Sequence, residues 1–270
     1  MSHILTSIYG NRLGMDKDNN LIIPVGAKVG INGAQVDSPS GARLAFFDDF
    51  LGAVIRTFWT LVKGTDATCV NFAISPGAAN GQIVGTTGAV TTTEAGSGIS
   101  ITSGLNYLVH PKTVTVKPCD IVAEARIKLS TIANISVFFG FTNTIALQAP
   151  AVGSGVANAI TNTANDAVGF LFDTSMTTKD FWLVGSAGGV QAASQDSGQA
   201  PVAATFVTLR VEIDQNSNAR FFINGVPVGQ IMAAAVTHDV LLTPVLNVFT
   251  RVAASAVVNA DYINVSGQRS

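Results

Sequence analysis

The segment TFVTLRVEIDQNSNARFFINGVPVG, residues Thr205 to Gly229, decides the fold class. In its first part apolar side chains alternate with polar ones, the period of two typical of a strand with one buried face; the apolar residues are Val207, Leu209, Val211 and Ile213. Asp214 to Asn218 form a polar turn, and Asn224-Gly225 is a strong signal for a tight hairpin turn. Strand, turn, strand, turn, strand predicts a β-meander.

The rest of the chain also predicts short strands separated by turn residues about every ten positions. Strands are expected near 57–63, 68–74, 81–86, 98–103, 105–109, 112–116, 120–130, 135–142, 167–173, 181–185, 190–193, 242–250 and 256–265. The Ala/Gly/Val/Asn segment 146–163 shows no period and is interpreted as a long loop. Because the period of a helix is not sustained for three turns in any segment, an all-β sandwich or barrel is predicted.

The composition favours a subunit that buries much of its surface. Charged residues make up 12% of the chain, against roughly 25% in typical soluble proteins. Hydrophobic residues reach 47%, although aromatic residues are only 7%, so much of the apolar content is alanine and valine. Such neutral surfaces are common in secreted β-proteins and in assembly subunits, whereas a monomeric cytosolic enzyme normally carries more charge.

Charge and cysteine content exclude several classes of function. The formal net charge is -2 and the basic residues are scattered, which disfavours nucleic-acid binding. No stretch approaches the roughly 20 apolar residues of a membrane span. The opening segment lacks a basic region followed by an apolar core, so a secretory signal is not expected. For Cys69 and Cys119 two buried free thiols are favoured, and one disulfide bridge is the alternative.

Residues 1–43 differ from the remainder of the chain. Turn residues recur every few positions, and between them lie only short apolar pieces such as Leu21-Ile22-Ile23-Pro24. Such a segment does not bury a core of its own, because ordering the backbone costs about 1–2 kcal/mol per residue. It is predicted to be an extended N-terminal arm for docking or assembly. A single domain is expected over residues 44–270.

The order of the strand patterns resembles a known fold family. Its segments are Glu124-Ala-Arg-Ile-Lys, Val137-Phe-Phe-Gly-Phe-Thr, Val168-Gly-Phe-Leu-Phe-Asp, Phe206 to Asp214, Ala219 to Gly225 and Asp261-Tyr-Ile-Asn-Val. This series resembles the concanavalin A-like lectin/glucanase jelly roll over roughly residues 46–265. The resemblance implies an antiparallel jelly-roll β-sandwich whose final strand returns beside the first strand, expected at Phe46 to Phe50.

The N-terminal segment carries a second resemblance. Ile8 to Asp16, followed by Asn20 to Gly30, is similar to the leading segments of tailed-phage virion proteins such as capsid decoration (cement) and head-fibre proteins. This resemblance implies an arm that docks on the major capsid protein or another virion protein, and an outer domain that commonly forms a homotrimer. The expected location is the capsid exterior, after assembly in the host cytoplasm. The expected docking residues are Ile8, Tyr9, Arg12, Leu13, Met15, Leu21, Ile22, Ile23 and Val25.

The residues that catalysis needs are not found together in the sequence. Jelly-roll glycosidases carry Glu-x-Asp-x-x-Glu on one strand as nucleophile and acid/base. The three glutamates of this chain, Glu94, Glu124 and Glu212, are far apart. No Gly-x-Ser-x-Gly elbow supports a serine triad, and the isolated histidines do not suggest a zinc site. The prediction is a protein that is not an enzyme, with no catalytic residue, metal or cofactor.

Two interpretations of function therefore remain. The first is a non-enzymatic phage virion protein, a capsid decoration or head-fibre subunit attached through its arm. The alternative is a lectin-like carbohydrate-binding module that adheres to a host-surface glycan. Sugar binding requires an exposed aromatic ring, and the candidate glycan-binding residues are Trp59 and Tyr107, whereas Trp182 lies in an apolar run and is expected in the core.

Overall fold

A computed structural model shows a two-layer β-sandwich. It describes residues 43–78, 81–103, 106–109, 120–148 and 153–268, and five short strands before residue 43. These first strands are β1 (Leu5–Thr6), β2 (Arg12–Met15), β3 (Leu21–Ile22), β4 (Lys28–Ile31) and β5 (Ala34–Asp37). The next are β6 (Arg43–Asp48), β7 (Trp59–Lys63), β8 (Val70–Ile74), β9 (Ile83–Thr86), the one-turn helix α1 (Glu94–Ser97), β10 (Ile99–Ser103), β11 (Tyr107–Leu108) and β12 (Ile121–Leu129).

The second half of the described chain contains twelve strands. They are β13 (Ile135–Thr142), β14 (Gly153–Val156), β15 (Ala159–Asn162), β16 (Ala167–Asp173), β17 (Trp182–Ala187), β18 (Val190–Gln191), β19 (Gln195–Asp196), β20 (Phe206–Ile213), β21 (Ala219–Ile223), β22 (Val226–Met232), β23 (Leu241–Thr250) and β24 (Val257–Gln268). The strand predicted near 112–116 lies outside the described residues.

Two large antiparallel sheets form the layers. The front sheet has the order β18-β17-β16-β13-β23-β10-β7, and the back sheet has the order β22-β21-β20-β12-β24-β6-β5-β4. One continuous apolar core lies between them, with Ile101, Phe139 and Phe170 from the front sheet against Ala125, Val211 and Ile263 from the back sheet. The predicted all-β jelly-roll sandwich is confirmed.

The meander that decided the class is confirmed in detail. Leu209, Val211 and Ile213 of β20 are at most 1% exposed, as their alternation predicts. Asn224 and Gly225 both adopt positive φ, 51° and 79°, which is the two-residue hairpin turn that Asn-Gly favours.

The first and last strands of the sandwich are neighbours, as the resemblance implies. β24 pairs antiparallel with β6, where Val265 lies opposite Phe46 and Asn264 opposite Phe47. The first strand runs from Arg43 to Asp48, three residues earlier than the start predicted at Phe46. β5 pairs in turn with β6, and β4 pairs with β5, so these two strands extend the back sheet. The domain boundary after residue 43 stays a prediction.

The long loop predicted over residues 146–163 is wrong in its second half. β14 and β15 form a hairpin there, in which Val156 lies opposite Ala159. Its turn residues, Ala157 and Asn158, both have positive φ, 50° and 66°. An alanine is rare in this conformation, because its Cβ crowds the backbone. Ala157-Asn158 is not one of the residue pairs, such as Asn-Gly, that usually indicate a two-residue hairpin turn, and the prediction therefore missed the hairpin.

Candidate functional site

The face of the front sheet that points away from the core is where a jelly-roll sandwich can form a cleft. Phe138, Leu171 and Val184 point to this outer face, opposite to the core residues beside them in each strand. All three are at most 3% exposed. They form a second apolar cluster with Val245, Ala164 and Ala167, which Ile160 and Trp182 complete. This half of the outer face is therefore covered.

The cover is the hairpin of β14 and β15. Its Gly155 N–H donates to the Asp173 carboxylate of β16 at 3.0 Å, and its Ala157 N–H donates to the Ser175 carbonyl at 3.0 Å. A Cβ on Gly155 would displace the buried Met176 side chain, so the glycine at this position lets the hairpin approach the sheet closely. Backbone hydrogen bonds and close packing hold the hairpin against the sheet.

A buried ion pair fixes the end of the same face. Asp173 has no exposed surface, and its carboxylate accepts hydrogen bonds from the Arg251 guanidinium, including one from Nε at 2.9 Å. The Ser136 hydroxyl and the Ser175 N–H donate to the same carboxylate at 3.0 and 2.9 Å. With these partners and the hairpin above it, Asp173 has a structural role and is not available as a catalytic acid or base.

The other half of the outer face is polar but also buried. Its polar residues are Ser100 and Thr102 of β10 and Thr243 and Asn247 of β23, each at most 5% exposed. Ser100 lies opposite Asn247, and Thr102 lies opposite Val245. The Thr243 hydroxyl donates to the Ser103 carbonyl at 2.9 Å. Together the two halves leave little of this face open to a sugar chain in the part of the chain that the structure describes.

Two carboxylates do meet at the edge of the front sheet. Asp180, which precedes β17, forms a side-chain hydrogen bond with Asp196 of β19. Partial burial raises the pKa of Asp180, and the charge and hydrogen bond of Asp196 raise it further. The two aspartates form a surface pair in which the negative charge of Asp196 disfavours ionisation of Asp180.

Replacing Asp180 by asparagine tests this pair. An acid whose pKa is raised by folding destabilises the folded state once the pH exceeds the unfolded value, about 3.9 for aspartate. Asp180→Asn is therefore expected to stabilise the protein at pH 7 by a few tenths of a kcal/mol, since the pair is at the surface. The gain should disappear as the pH falls below 4. Urea unfolding at pH 7 and pH 3.5 measures both; an equal effect at the two pH values would contradict the raised pKa of Asp180.

A serine and a histidine also come together, but not as a nucleophile and its base. The Ser217 hydroxyl lies 3.1 Å from Nδ1 of His238. Ser217 has no exposed surface and occupies the turn before β21, where its φ is 60°. A nucleophile must reach its substrate, so this contact holds the turn against the segment before β23.

The rings predicted to bind a glycan are in the core. Trp59 is 6% exposed and Tyr107 is fully buried, with its ring 6.2 Å from that of Phe141. Neither ring is available to stack on a sugar, which corrects that prediction. The exposed ring that the sequence reasoning missed is Phe47, 41% exposed on the outer face of the back sheet.

The arm residues are only partly described. Arg12, Leu13 and Met15 lie in β2 and Leu21 and Ile22 in β3, and β1, β2 and β3 pair as a small antiparallel sheet. The remaining predicted docking residues, Ile8, Tyr9, Ile23 and Val25, lie outside the described residues. Their role in docking stays a prediction.

The acidic, histidine and cysteine side chains and the pocket of the described ranges do not indicate a further functional site. In the described ranges, three or more His, Cys, Asp or Glu side chains do not converge as a metal site would require. The helical part of the same ranges is too short to cross a bilayer. Cys69 is a buried free thiol 3.6 Å from the Gly96 carbonyl, and Cys119 lies outside the description. A pocket of about 470 Å³ between β18 and β22 is lined mainly by alanine and by Val190, Ile231 and Met232.

Comparisons with known proteins agree with this architecture. No protein-family model and no curated protein matches the chain. Among solved structures, peanut lectin is 11% identical with a TM-score of 0.54 and aligns over 84% of this chain and 98% of its own. A β-1,3-glucanase from Mycobacterium marinum is 13% identical with a TM-score of 0.53, over 84% and 99%. The carbohydrate recognition domain of Emp47p is 10% identical with a TM-score of 0.51, over 83% and 95%.

At these identities the likeness shows the fold alone. Lectins and glucanases share it, so the fold by itself does not decide between binding and catalysis. The comparisons support the concanavalin A-like part of the predicted resemblance and do not address the virion part. The chain has the lectin-like jelly-roll fold that these structures share.

Proposed function

We propose that this protein is a non-enzymatic structural subunit of a larger assembly, of the capsid decoration or head-fibre type expected from its N-terminal segment. One observation supports the part of the proposal that the protein is not an enzyme. The outer face of the front sheet is covered by the β14–β15 hairpin, and its buried carboxylate, Asp173, is paired with Arg251. A glycosidase needs two accessible carboxyl groups on either side of the scissile bond, and the described residues of this face do not offer them.

The attachment part of the proposal rests on the N-terminal segment. Its strands β4 and β5 continue the back sheet, and β4 is the strand at the edge of that sheet. An extended segment in this position can add backbone hydrogen bonds and apolar contacts to a neighbouring subunit. A lasting contact is expected to bury about 1,000 Å² or more.

The proposal predicts that a phage encodes this chain and carries it in its particles, and shortening the arm in that phage tests the attachment. Deleting residues 2–24 preserves β4 and β5 and therefore the back sheet, whereas a deletion to residue 35 would remove β4 and part of β5. Mass spectrometry of purified particles is expected to detect the full-length chain. The amount of the shortened chain in the particles should be lower by at least 90%. Circular dichroism of the shortened protein is the folding control.

Three results would contradict this proposal. The first is absence of the full-length chain from purified particles, and the second is retention of the shortened chain at the normal level. The third is release of reducing sugar from a β-1,3-glucan by the purified protein, since the proposal assigns it no catalytic site. Such activity would mean that acidic residues away from the covered face form a catalytic site.

A second candidate function is carbohydrate binding without catalysis. The observation that favours it is a pair of neighbouring aromatic rings on the outer face of the back sheet, the exposed Phe47 and the half-buried Tyr262. A glycan array probed with the full chain tests it. Both functions can coexist, because a domain that decorates a particle can also adhere to a surface.

A further inference from the structure

The outer face of the back sheet carries a small aromatic platform. Phe47 of β6 and Tyr262 of β24 have ring centroids 5.5 Å apart and planes inclined by 35°. Phe47 is 41% exposed and Tyr262 is half-buried, so the two rings present a shallow apolar surface to solvent. Both strands lie in the middle of a wide sheet, which holds the platform rigidly.

Polar groups surround the platform in fixed positions. The Tyr262 hydroxyl donates to Oε1 of Glu124 at 2.8 Å, which fixes its ring. Asn264 lies in register between Phe47 on one side and Glu124 on the other, and its side chain points to the same face. The pKa of Tyr262 is raised to about 12 by burial and by Glu124, so this hydroxyl remains a proton donor at neutral pH.

Two ion pairs on this face form within the chain. Arg126 pairs with Asp261 at 2.6 Å, and Arg210 pairs with Glu212. Because these four charges are matched in pairs, they draw neither a polyanion nor a polycation strongly to the surface beside the platform. A neutral ligand with both apolar and hydroxyl surface fits it best.

A neutral sugar has this combination of surfaces. The C–H groups on one side of a pyranose ring pack on aromatic rings, and its hydroxyls hydrogen-bond to carboxylate and amide groups. We propose that Phe47, Tyr262, Glu124 and Asn264 form a binding site for a neutral oligosaccharide, on the side of the sandwich opposite to the covered face. This inference rests on carbohydrate binding, the second candidate function.

The test begins with the full-length protein on an array of neutral and acidic glycans. The neutral oligosaccharide that binds best is then titrated by calorimetry against Phe47→Ala, Tyr262→Phe and Val190→Ala. Phe47→Ala is expected to weaken binding at least tenfold, because the exposed half of the platform is removed. Tyr262→Phe retains the ring and should have a smaller effect. Val190, 72% exposed at the edge of the front sheet, is the control and should change binding less than twofold.

The outcomes that overturn the site are distinct. If a neutral glycan binds equally well to Phe47→Ala, the site is wrong while carbohydrate binding stands. If only acidic glycans bind the full-length protein, the neutral site is wrong while carbohydrate binding stands. If no glycan on the array binds, both the site and the second candidate function fail. If light scattering shows a dimer that Phe47→Ala converts to a monomer, the face is occupied by a second copy and not by a sugar. In every case Phe47→Ala must unfold at the same temperature as the natural protein, so that a loss of binding does not reflect a loss of folding.

Discussion

Arg251→Met is expected to lower the free energy of unfolding by about 3–5 kcal/mol, because it leaves the buried Asp173 carboxylate without its positive partner. Folded domains are stable by only about 5–15 kcal/mol, so the loss is a large fraction of the total. Urea unfolding followed by circular dichroism measures it. The Gly155 N–H bonds to the same carboxylate, so hydrogen exchange over residues 153–162 should also become faster.

The matched control is the double variant Asp173→Asn with Arg251→Met. Removing both charges leaves no uncompensated ion in the interior, so the double variant should be more stable than Arg251→Met alone. It should still be less stable than the natural protein, since the Ser136 hydroxyl and the Ser175 N–H lose a charged acceptor. A double variant that is less stable than Arg251→Met would show that the carboxylate does not depend on this arginine.

Trp59→Ala is expected to destabilise the protein by about 3–5 kcal/mol, the usual cost of removing a large core side chain. The Trp59 ring packs against Phe46 and Phe58 with centroids 5.5 and 5.3 Å away. Its indole N–H donates to Oδ2 of Asp48 at 2.8 Å, and Asp48 is itself only 2% exposed. Chemical unfolding measures the loss.

Trp59→Phe separates the packing of the ring from its hydrogen bond. It keeps most of the ring volume and removes the indole donor, so a smaller loss of about 1–3 kcal/mol is expected. Glycan binding, where detected, should persist in folded Trp59→Phe, because the ring is not on the surface. A variant with unchanged stability and abolished glycan binding would contradict the core position of Trp59.

Much of the fold could be predicted because its signals are local. Alternation in Phe206–Ile213 predicts which side chains point inward, and Asn224-Gly225 predicts the turn that follows β21. The pattern order of the strands, through its resemblance to a known jelly roll, predicts that β24 returns beside β6. Turn chemistry and a period of two depend on a few neighbouring residues, which a single sequence displays.

The candidate sites could not be predicted in the same way. Phe47 and Tyr262 lie near opposite ends of the chain, and each is an ordinary strand residue in its own segment. Trp59 and Tyr107 are amphipathic rings of the kind that sugar sites use, but local sequence does not show which face of a strand is covered by another layer. The exposure of a ring depends on the register between distant strands and on the segments that pack above them.

The sequence by itself determined an all-β class, the positions of most strands and the meander of β20, β21 and β22, because alternation and turn propensity act over a few residues. Only the tertiary structure decided that the hairpin of β14 and β15 covers the front sheet and that Arg251 reaches Asp173, 78 residues away. Those contacts form between segments without a periodic signal, so they exist only once the two sheets have placed them side by side.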